Sequence, residues 1–277
     1  MTVTIISDND TIFPEYLSEH GLSLYVETSK HRLLLDTGAS DLFIRNAEKS
    51  DIDIKKIDYV FISHGHADHL GGLPYFLDIN KEAKIIMSKN IPHQSYFSTR
   101  NGLHSITTYI DYEKYADRFL FVDDEMRIDD ELAVYSNQST LYDKPAGNCL
   151  LFRSDDDGDM VADDFNHELI LTIADKKMMV YTGCAHNGIQ NILETVSSKT
   201  DSPVDMIIGG LHLISKRDGT SYETVKQIDQ LNDFLRAKYP DVRIITGHCT
   251  SDNAYQKLSS ILHDKVDRFY CGMRMEL

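Results

Sequence analysis

The chain has 277 residues, of which 42% are hydrophobic and 26% charged, as is usual for a globular protein. Its formal net charge of −16 argues against a nucleic-acid-binding protein, because phosphate contacts require clustered Lys and Arg. The N-terminal segment lacks the basic stretch and long apolar run of a signal peptide, and no segment has the roughly 20 apolar residues of a membrane span. These features predict a cytoplasmic protein that acts on a small molecule and contacts neither nucleic acid nor membrane.

The first third of the chain is rich in short apolar segments. Residues 2–7, 22–28 and 32–38 are branched or aromatic and bounded by turn residues, which predicts an antiparallel meander. A helix is expected near Leu42 and Phe43, followed by a buried strand over residues 57–63.

Residues 91–117 have many tyrosines and polar groups but weak periodicity. Two interpretations stay open: an insertion that covers a substrate site, or an ordinary irregular surface segment.

The second half alternates strands and helices. Buried strands are predicted over residues 148–154, 167–174, 176–183, 204–210 and 242–247. No linker rich in Pro, Gly or Ser divides the chain, so we expect one domain over residues 1–277.

Two further local signals concern helices and loops of this half. The pair Thr220 and Glu223 has the spacing of a capping box and predicts a helix that buries Val225, Ile228, Leu231 and Leu235. The acidic segment 154–168 lacks the glycine and glutamate of a calcium loop, so it is interpreted as a solvated loop.

The segment FISHGHADHLGGL, residues 61–73, concentrates metal-binding side chains just after a buried strand. His64 and His66 are two residues apart, so on extended backbone their side chains leave on the same side. Asp68 and His69 come after a predicted turn and are expected to point elsewhere. This division predicts two adjacent metal sites, one of imidazoles and one of a carboxylate with an imidazole.

SHGHADHLGGL resembles the signature of the metallo-beta-lactamase superfamily, and LLLDTG resembles its earlier motif. The resemblance covers the whole chain and implies an α+β, four-layer αββα sandwich, with two mixed sheets between helices and one or two metals at one edge. It also implies that Asp36 supports the metal loop instead of binding metal.

Further ligands are expected at strand ends in the second half. His186 and His248 each follow a buried strand and a glycine, and His212 is a third such case. We therefore predict two ligand sets: His64, His66 and His186 for one ion, and Asp68, His69 and His248 for the other. His167 lies roughly where the superfamily often keeps a ligand and is a rival to His186.

Cys184 stands where the superfamily commonly has an acidic residue that bridges the metals. A buried thiol, a soft metal contact and a redox-sensitive neighbour are the alternatives for this side chain. The segments TGCAH, GGLHL and GHCT are similar to a narrower branch, the 7,8-dihydropterin-6-methyl-4-(beta-D-ribofuranosyl)aminobenzene-5'-phosphate synthase-like proteins.

The predicted function is a metal-dependent hydrolase of a small ester, with a phosphate-bearing substrate implied by the family. Zinc is the first choice of ion, with iron or manganese as alternatives. Asp68 is the candidate for orienting the attacking water or accepting its proton, and His212 for steadying the leaving group. A non-catalytic metal-dependent sensor and a di-iron redox protein are the alternatives. The sequence makes no prediction of oligomeric state.

Overall fold

Two seven-stranded sheets face each other in the computed structural model, which describes residues 1–277. The first sheet contains β1 (Thr2–Ser7), β2 (Ser23–Glu27), β3 (Arg32–Leu35), β4 (Tyr59–Phe61), β5 (Lys84–Ser88), β8 (Phe119–Val122) and β18 (Arg274–Glu276). The second contains β9 (Glu125–Arg127), β10 (Leu132–Ser136), β13 (Leu169–Ala174), β14 (Met178–Tyr181), β15 (Met206–Ile208), β16 (Arg243–Thr246) and β17 (Val266–Arg268).

Six helices cover the outer faces of these sheets. They are α1 (Leu42–Lys49), α2 (Ala67–Leu70), α3 (Leu73–Ile79), α4 (Ile189–Lys199), α5 (Val225–Lys238) and α6 (Asp252–Leu262). One apolar cluster fills the space between the two sheets, a second joins the second sheet to α4, α5 and α6, and a third joins the first sheet to α1 and α3. The predicted four-layer αββα sandwich is therefore confirmed.

The first sheet begins as the predicted meander, because β1, β2 and β3 pair antiparallel in sequence order. β3, β4, β5 and β8 then run parallel, which brings their carboxyl ends to one edge. In the second sheet β14, β15, β16 and β17 are also parallel. The loops that follow these parallel strands carry the side chains of the candidate site.

A small third sheet lies outside the sandwich and contains β6 (Tyr96–Ser98), β7 (His104–Ser105), β11 (Leu151–Ser154) and β12 (Met160–Ala162). β6 and β7 belong to the segment 91–117. β11 coincides with part of the strand predicted over residues 148–154, and it pairs with β6. The segment therefore has its own hydrogen-bonded structure.

The predicted start of α5 is wrong. The helix begins at Val225, and its capping box is formed by Thr224 and Gln227, not by Thr220 and Glu223. The Gln227 N–H donates to Thr224 Oγ1 at 3.3 Å, and the Thr224 N–H donates to Gln227 Oε1 at 2.9 Å. Val225 lies in the first turn, and it is 63% exposed instead of buried, whereas Ile228, Leu231 and Leu235 are buried as predicted.

No helix has both the length and the apolar character needed to cross a membrane.

Candidate metal centre

The side chains predicted to bind metal meet where strands of both sheets end. His64, His66 and Asp68 follow β4, and His186 and His248 follow β14 and β16. These are the carboxyl ends of parallel strands, which lie at one edge of an open sheet and form its usual ligand site. The two sheets face each other, so their loops close around a common centre.

The first subsite brings together His64, His66 and His186, whose ligand atoms lie within 4.8 Å of one another. His64 and His186 are buried, and the Nε2 atom of each has no hydrogen-bond partner. Burial holds the pKa of both imidazoles well below the ordinary value, and the surrounding imidazoles add to this effect. Both rings are therefore neutral and offer a lone pair.

Hydrogen bonds fix which nitrogen of each ring is free. Ser63 Oγ donates to Asp36 Oδ2 at 2.7 Å, so it can only accept from His64 Nδ1, at 2.9 Å. His66 Nε2 lies 3.4 Å from Asp163 Oδ2 and donates to it, which leaves its Nδ1. Each imidazole is thus held in the tautomer that presents one lone pair to the subsite.

The second subsite brings together Asp68, His69 and His248. The Nε2 atoms of His69 and His248 are 3.1 Å apart, and Asp68 Oδ2 lies 3.7 Å and 3.3 Å from them. His69 Nδ1 donates to Asp36 Oδ2 at 2.7 Å, and His248 Nδ1 donates to Asn9 Oδ1 at 3.0 Å, so both Nε2 atoms face the subsite.

Electrostatics of the second subsite show what it attracts. Burial opposes ionisation of Asp68, but the imidazoles of His69 and His248 outweigh it and hold the Asp68 pKa well below its ordinary range. Burial alone would lower the pKa of His248, yet Asp68 and the Cys249 sulfur raise it to about 9. Three electron-pair donors this close repel one another unless a positive charge lies among them. Without a metal, a proton on His248 supplies that charge.

The donors of both subsites therefore fit divalent ions. The orphaned Nε2 atoms of His64 and His186 are buried without any donor that could satisfy them, which is costly unless an ion takes that place. Imidazole and carboxylate ligands suit zinc, iron and manganese. The fold brings the three side chains of each predicted set together, and their binding of ions stays a prediction.

Two asparagines each hold one candidate ligand histidine by two hydrogen bonds, one to its backbone and one to its ring, an arrangement that we call an asparagine clamp. Asn148 Nδ2 donates to the His186 carbonyl at 2.8 Å, and Asn148 Oδ1 accepts from His186 Nδ1 at 3.0 Å. Asn9 Nδ2 donates to the His248 carbonyl at 2.9 Å while its Oδ1 accepts from the ring. Neither asparagine was identified from the sequence, since each lies far along the chain from its histidine.

A buried carboxylate holds the loop that carries His186. The Glu168 oxygens accept from the backbone N–H groups of His186 and Asn187, at 2.6 Å and 2.7 Å. Burial raises the pKa of Glu168 to about 7, although these hydrogen bonds oppose the rise. Glu168 thus orients the backbone of a ligand without contacting the subsite itself.

His167 has no ring nitrogen to offer an ion. Its Nδ1 accepts from the Gly65 N–H at 3.1 Å, and its Nε2 donates to Asp163 Oδ2 at 3.1 Å. The fold brings His186, not His167, to the first subsite. Asp163 was missed by the sequence analysis because it lies in the acidic segment interpreted as solvated, yet it is buried and orients both His66 and His167.

His212 lies beside the first subsite, with its ring centroid 4.2 Å from that of His186. It is buried, and neither of its ring nitrogens has a hydrogen-bond partner. The ring is therefore not committed to a hydrogen bond within the protein, and its contact with a leaving group stays a prediction.

Two buried cysteines lie between and beside the subsites. Cys184 Sγ is 3.2 Å from His69 Nε2, and Cys249 Sγ accepts from the His212 N–H at 3.2 Å. Burial raises the pKa of Cys184 well above the ordinary thiol value, and the neighbouring Cys249 sulfur adds to the rise.

A cavity of about 270 Å³ opens over the centre, and its lining combines apolar side chains with the polar side chains of the centre. Ile106, Leu150, Leu151 and Ile214 are among the residues that line it. A second cavity shares Arg100 with the first and adds Lys216 and Arg217, and no carboxylate lines it. The Arg217 guanidinium donates to the Arg100 carbonyl and to Asn101 Oδ1, at 3.1 Å and 3.3 Å, so the two loops at this mouth are joined.

Backbone strain is concentrated at the centre. Four non-glycine residues there have a positive φ: 56° at Asp36, 55° at Ala185, 48° at His212 and 53° at His248. This left-handed region is unfavourable for residues with a Cβ atom. The surrounding contacts hold these residues where their side chains face the centre or its supports.

Comparison with known proteins gives one family and several relatives. Residues 19–161 match the sequence profile described as Metallo-beta-lactamase superfamily. An uncharacterized protein of Methanocaldococcus jannaschii is 26% identical over 94% of both chains. A 7,8-dihydropterin-6-methyl-4-(beta-D-ribofuranosyl)-aminobenzene-5'-phosphate synthase of the same organism is 27% identical, over 93% of this chain and 90% of its own.

One solved structure is similar over the full length. It is described as a metal-dependent hydrolase of the beta-lactamase superfamily and has a TM-score of 0.83 and 26% identity, covering 100% of this chain and 99% of its own. The family resemblance drawn from the signature residues is confirmed by these matches.

Proposed function

This chain belongs to the metallo-beta-lactamase superfamily, and from that premise we propose that it is a metal-dependent hydrolase of a small phosphate-bearing ester. The observation that carries the proposal is a cluster of buried imidazole nitrogens without hydrogen-bond partners, at the base of a cavity whose mouth is cationic. The imidazole nitrogens would hold catalytic ions, and the cationic mouth would bind an anionic group.

The ligands would be His64, His66 and His186 for one ion and Asp68, His69 and His248 for the other. Divalent ions held there supply Lewis acidity, which makes a water more acidic and polarises a carbonyl or phosphoryl oxygen. We propose zinc as the native ion, with iron or manganese as the alternatives compatible with these donors.

Two side chains would take part in proton transfer and hydrogen bonding to the substrate. Asp68 is 19% exposed at its side chain and faces the cavity, so its carboxylate can orient a water and accept a proton from it. His212 has both ring nitrogens free and lines the same cavity, so it can hydrogen-bond the leaving-group oxygen.

Charge at the mouth supports a phosphate-bearing substrate. A net charge of −16 repels anions over most of the surface. Arg100, Lys216 and Arg217 reverse that field locally, next to the apolar part of the cavity lining. The substrate expected from this arrangement has an apolar body between the bond to be cleaved and an anionic group.

The relatives support a phosphate-bearing substrate and add a second reaction type to the assay. One relative is named as a synthase of a compound that contains a 5'-phosphate, which agrees with a phosphate-bearing ligand here. The similar solved structure is described as a hydrolase. Because one relative is named as a synthase and the other as a hydrolase, the assay must monitor bond formation along with hydrolysis.

The test is turnover by zinc-, iron- and manganese-loaded protein on phosphomonoesters, phosphodiesters, lactones and thioesters. We expect hydrolysis of a phosphate ester, with His66→Ala at least about 100-fold slower. His93→Ala is the matched control, since it removes an exposed imidazole outside the centre. Saturable ligand binding without product would favour a metal-dependent sensor instead, and equal rates for both variants would contradict the proposal.

A further inference from the structure

Two of the four cysteines lie close to each other. The sulfurs of Cys184 and Cys249 are within 4.8 Å of each other. Both side chains are buried, and they pack with Ile214 in one small cluster. The Cys249 thiol also faces the Cys184 carbonyl, at a sulfur–oxygen distance of 3.7 Å. Since a disulfide has its sulfurs about 2.05 Å apart, a movement of less than about 3 Å would close the bond.

The backbone brings these sulfurs together although their strands are not neighbours. Cys184 follows β14 and Cys249 follows β16, and β15 lies between these strands. In the loop after β15, the Gly210 N–H donates to the Gly183 carbonyl at 2.6 Å. A Cβ atom at Gly210 would lie 2.2 Å from Cys249 Sγ. Because Gly210 has no side chain, the two sulfurs can approach each other over the end of β15.

Small molecules have access to this pair of sulfurs. Cys184 and Cys249 both line the cavity of about 270 Å³ over the centre. A cavity of this size admits an oxidant as small as hydrogen peroxide, although the two residues are only 3% and 9% exposed.

We propose that Cys184 and Cys249 are a reversible oxidation site, which hydrogen peroxide converts to a disulfide. One sulfur attacks a peroxide oxygen as a thiolate, the O–O bond breaks, and the leaving hydroxide takes up the thiol proton to form water. The second sulfur attacks the resulting sulfenic acid, the S–S bond forms, and a second water leaves. Two thiols and one hydrogen peroxide thus give one disulfide and two waters. Dithiothreitol reverses the change and is itself oxidised to a disulfide.

Oxidation would act on the backbone of His212. The His212 N–H donates to Cys249 Sγ at 3.2 Å, and this residue has a φ of 48°, in the left-handed region. Closure of the S–S bond moves the Cys249 sulfur toward Cys184 and away from this N–H. The strained backbone then loses one of the contacts that hold it. The state of the cysteine pair would therefore control the side chain predicted to contact a leaving group.

Peptide mapping tests the pairing in the wild-type protein, so no variant has to fold. The full-length protein as purified is treated with hydrogen peroxide, alkylated and cleaved with trypsin. The two cysteines then lie in the peptides 178–199 and 244–257, each with a single cysteine. We expect these peptides to be joined and the free-thiol count to fall from four to two. Dithiothreitol should restore the count.

Cys149→Ala is the matched control, because it removes an exposed cysteine, and it should give the same joined peptides. Cys184→Ala and Cys249→Ala should give none. Four free thiols after treatment of the wild-type protein would overturn the proposal. Joining of either peptide to one that contains Cys149 or Cys271 would also overturn it.

Hydrogen exchange measures the effect on His212. Its N–H should exchange at least about 10-fold faster in the oxidised protein than in the reduced protein. Equal exchange rates would show that the disulfide forms without acting on His212 and would overturn that part of the proposal. Neither measurement depends on turnover, so failure of the hydrolase proposal would be recognised separately.

Discussion

The two subsites differ in the chemistry and exposure of their candidate ligands. The first has three imidazoles and no carboxylate ligand, and two of its rings are held by the neutral groups Ser63 and Asn148. The second includes the carboxylate of Asp68, which is partly exposed and also lies 3.5 Å from the exposed His20. The first is thus a buried, neutral set of donors, whereas the second carries charge and opens to the cavity.

This difference suggests a division of labour. A neutral, buried set of lone pairs without hydrogen-bond partners is suited to hold a cation, so we propose that the first subsite defines the position of one ion. The second offers an anionic group next to solvent, where a water and a substrate can enter. Asp36 is common to both, because it holds Ser63 and His69 through the same carboxylate.

Removal of Asp36 should have the largest effect, since it acts on both subsites. Its carboxylate accepts from the Ser63 N–H and Oγ–H, His69 Nδ1–H and the Tyr181 hydroxyl, each at 2.7 Å. Asp36→Ala leaves these buried donors unpaired and should lower the free energy of unfolding by about 3–5 kcal/mol. Urea unfolding and elemental analysis should show an unstable protein that has lost both ions.

Tyr181→Phe is the control for Asp36, because it removes a single donor to the same carboxylate. It should cost about 1 kcal/mol and leave both ions bound. Retention of both ions by Asp36→Ala would show that the subsites are held independently.

Replacement of Asp68 should affect one subsite alone. Asp68→Asn removes the negative charge among the ligands, so the second ion should be lost while the first stays. Turnover should fall at least about 100-fold, because the proton acceptor is removed as well. Elemental analysis and steady-state kinetics measure the two effects, with the exposed Asp156→Asn as the control for loss of a charge. Equal loss of both ions would argue against two separate subsites.

The two asparagine clamps allow the smallest and most selective change. Asn148→Ala should weaken the ion of the first subsite, and Asn9→Ala that of the second, each by about 10- to 100-fold. Competition with a metal chelator, read separately for the stronger and the weaker ion, measures both. If the two variants weaken the same ion, the assignment of His186 and His248 to different subsites is wrong.

Much of the centre could be predicted because its ligands follow a local rule. The spacing of His64, His66, Asp68 and His69 indicates two directions of ligation. His186 and His248 follow buried strands and glycines, and parallel strands end at one edge. Each of these signals lies within a few residues of the side chain concerned.

The supporting residues could not be predicted because their partners are remote in the chain. Asn9 contacts His248 across the whole length of the sequence, and no local pattern marks it. Asp163 was hidden among acidic neighbours, of which only the tertiary fold selects one for burial.

The prediction of where α5 begins was wrong for a different reason. Two successive pairs, Thr220 with Glu223 and Thr224 with Gln227, have the same capping-box spacing. Only the second pair forms the box, and the Glu223 carboxylate instead accepts from the Ala146 N–H, which is remote in the sequence.

The left-handed backbone at the centre has a consequence for selection and design. Each of these conformations costs on the order of 1 kcal/mol that glycine would avoid. A screen for thermal stability alone would thus favour glycine at His212, whose ring makes no hydrogen bond. At Asp36 the hydrogen bonds that the carboxylate accepts outweigh the same gain. Selection for stability alone would therefore remove the predicted substrate contact while it keeps the support of the ligands.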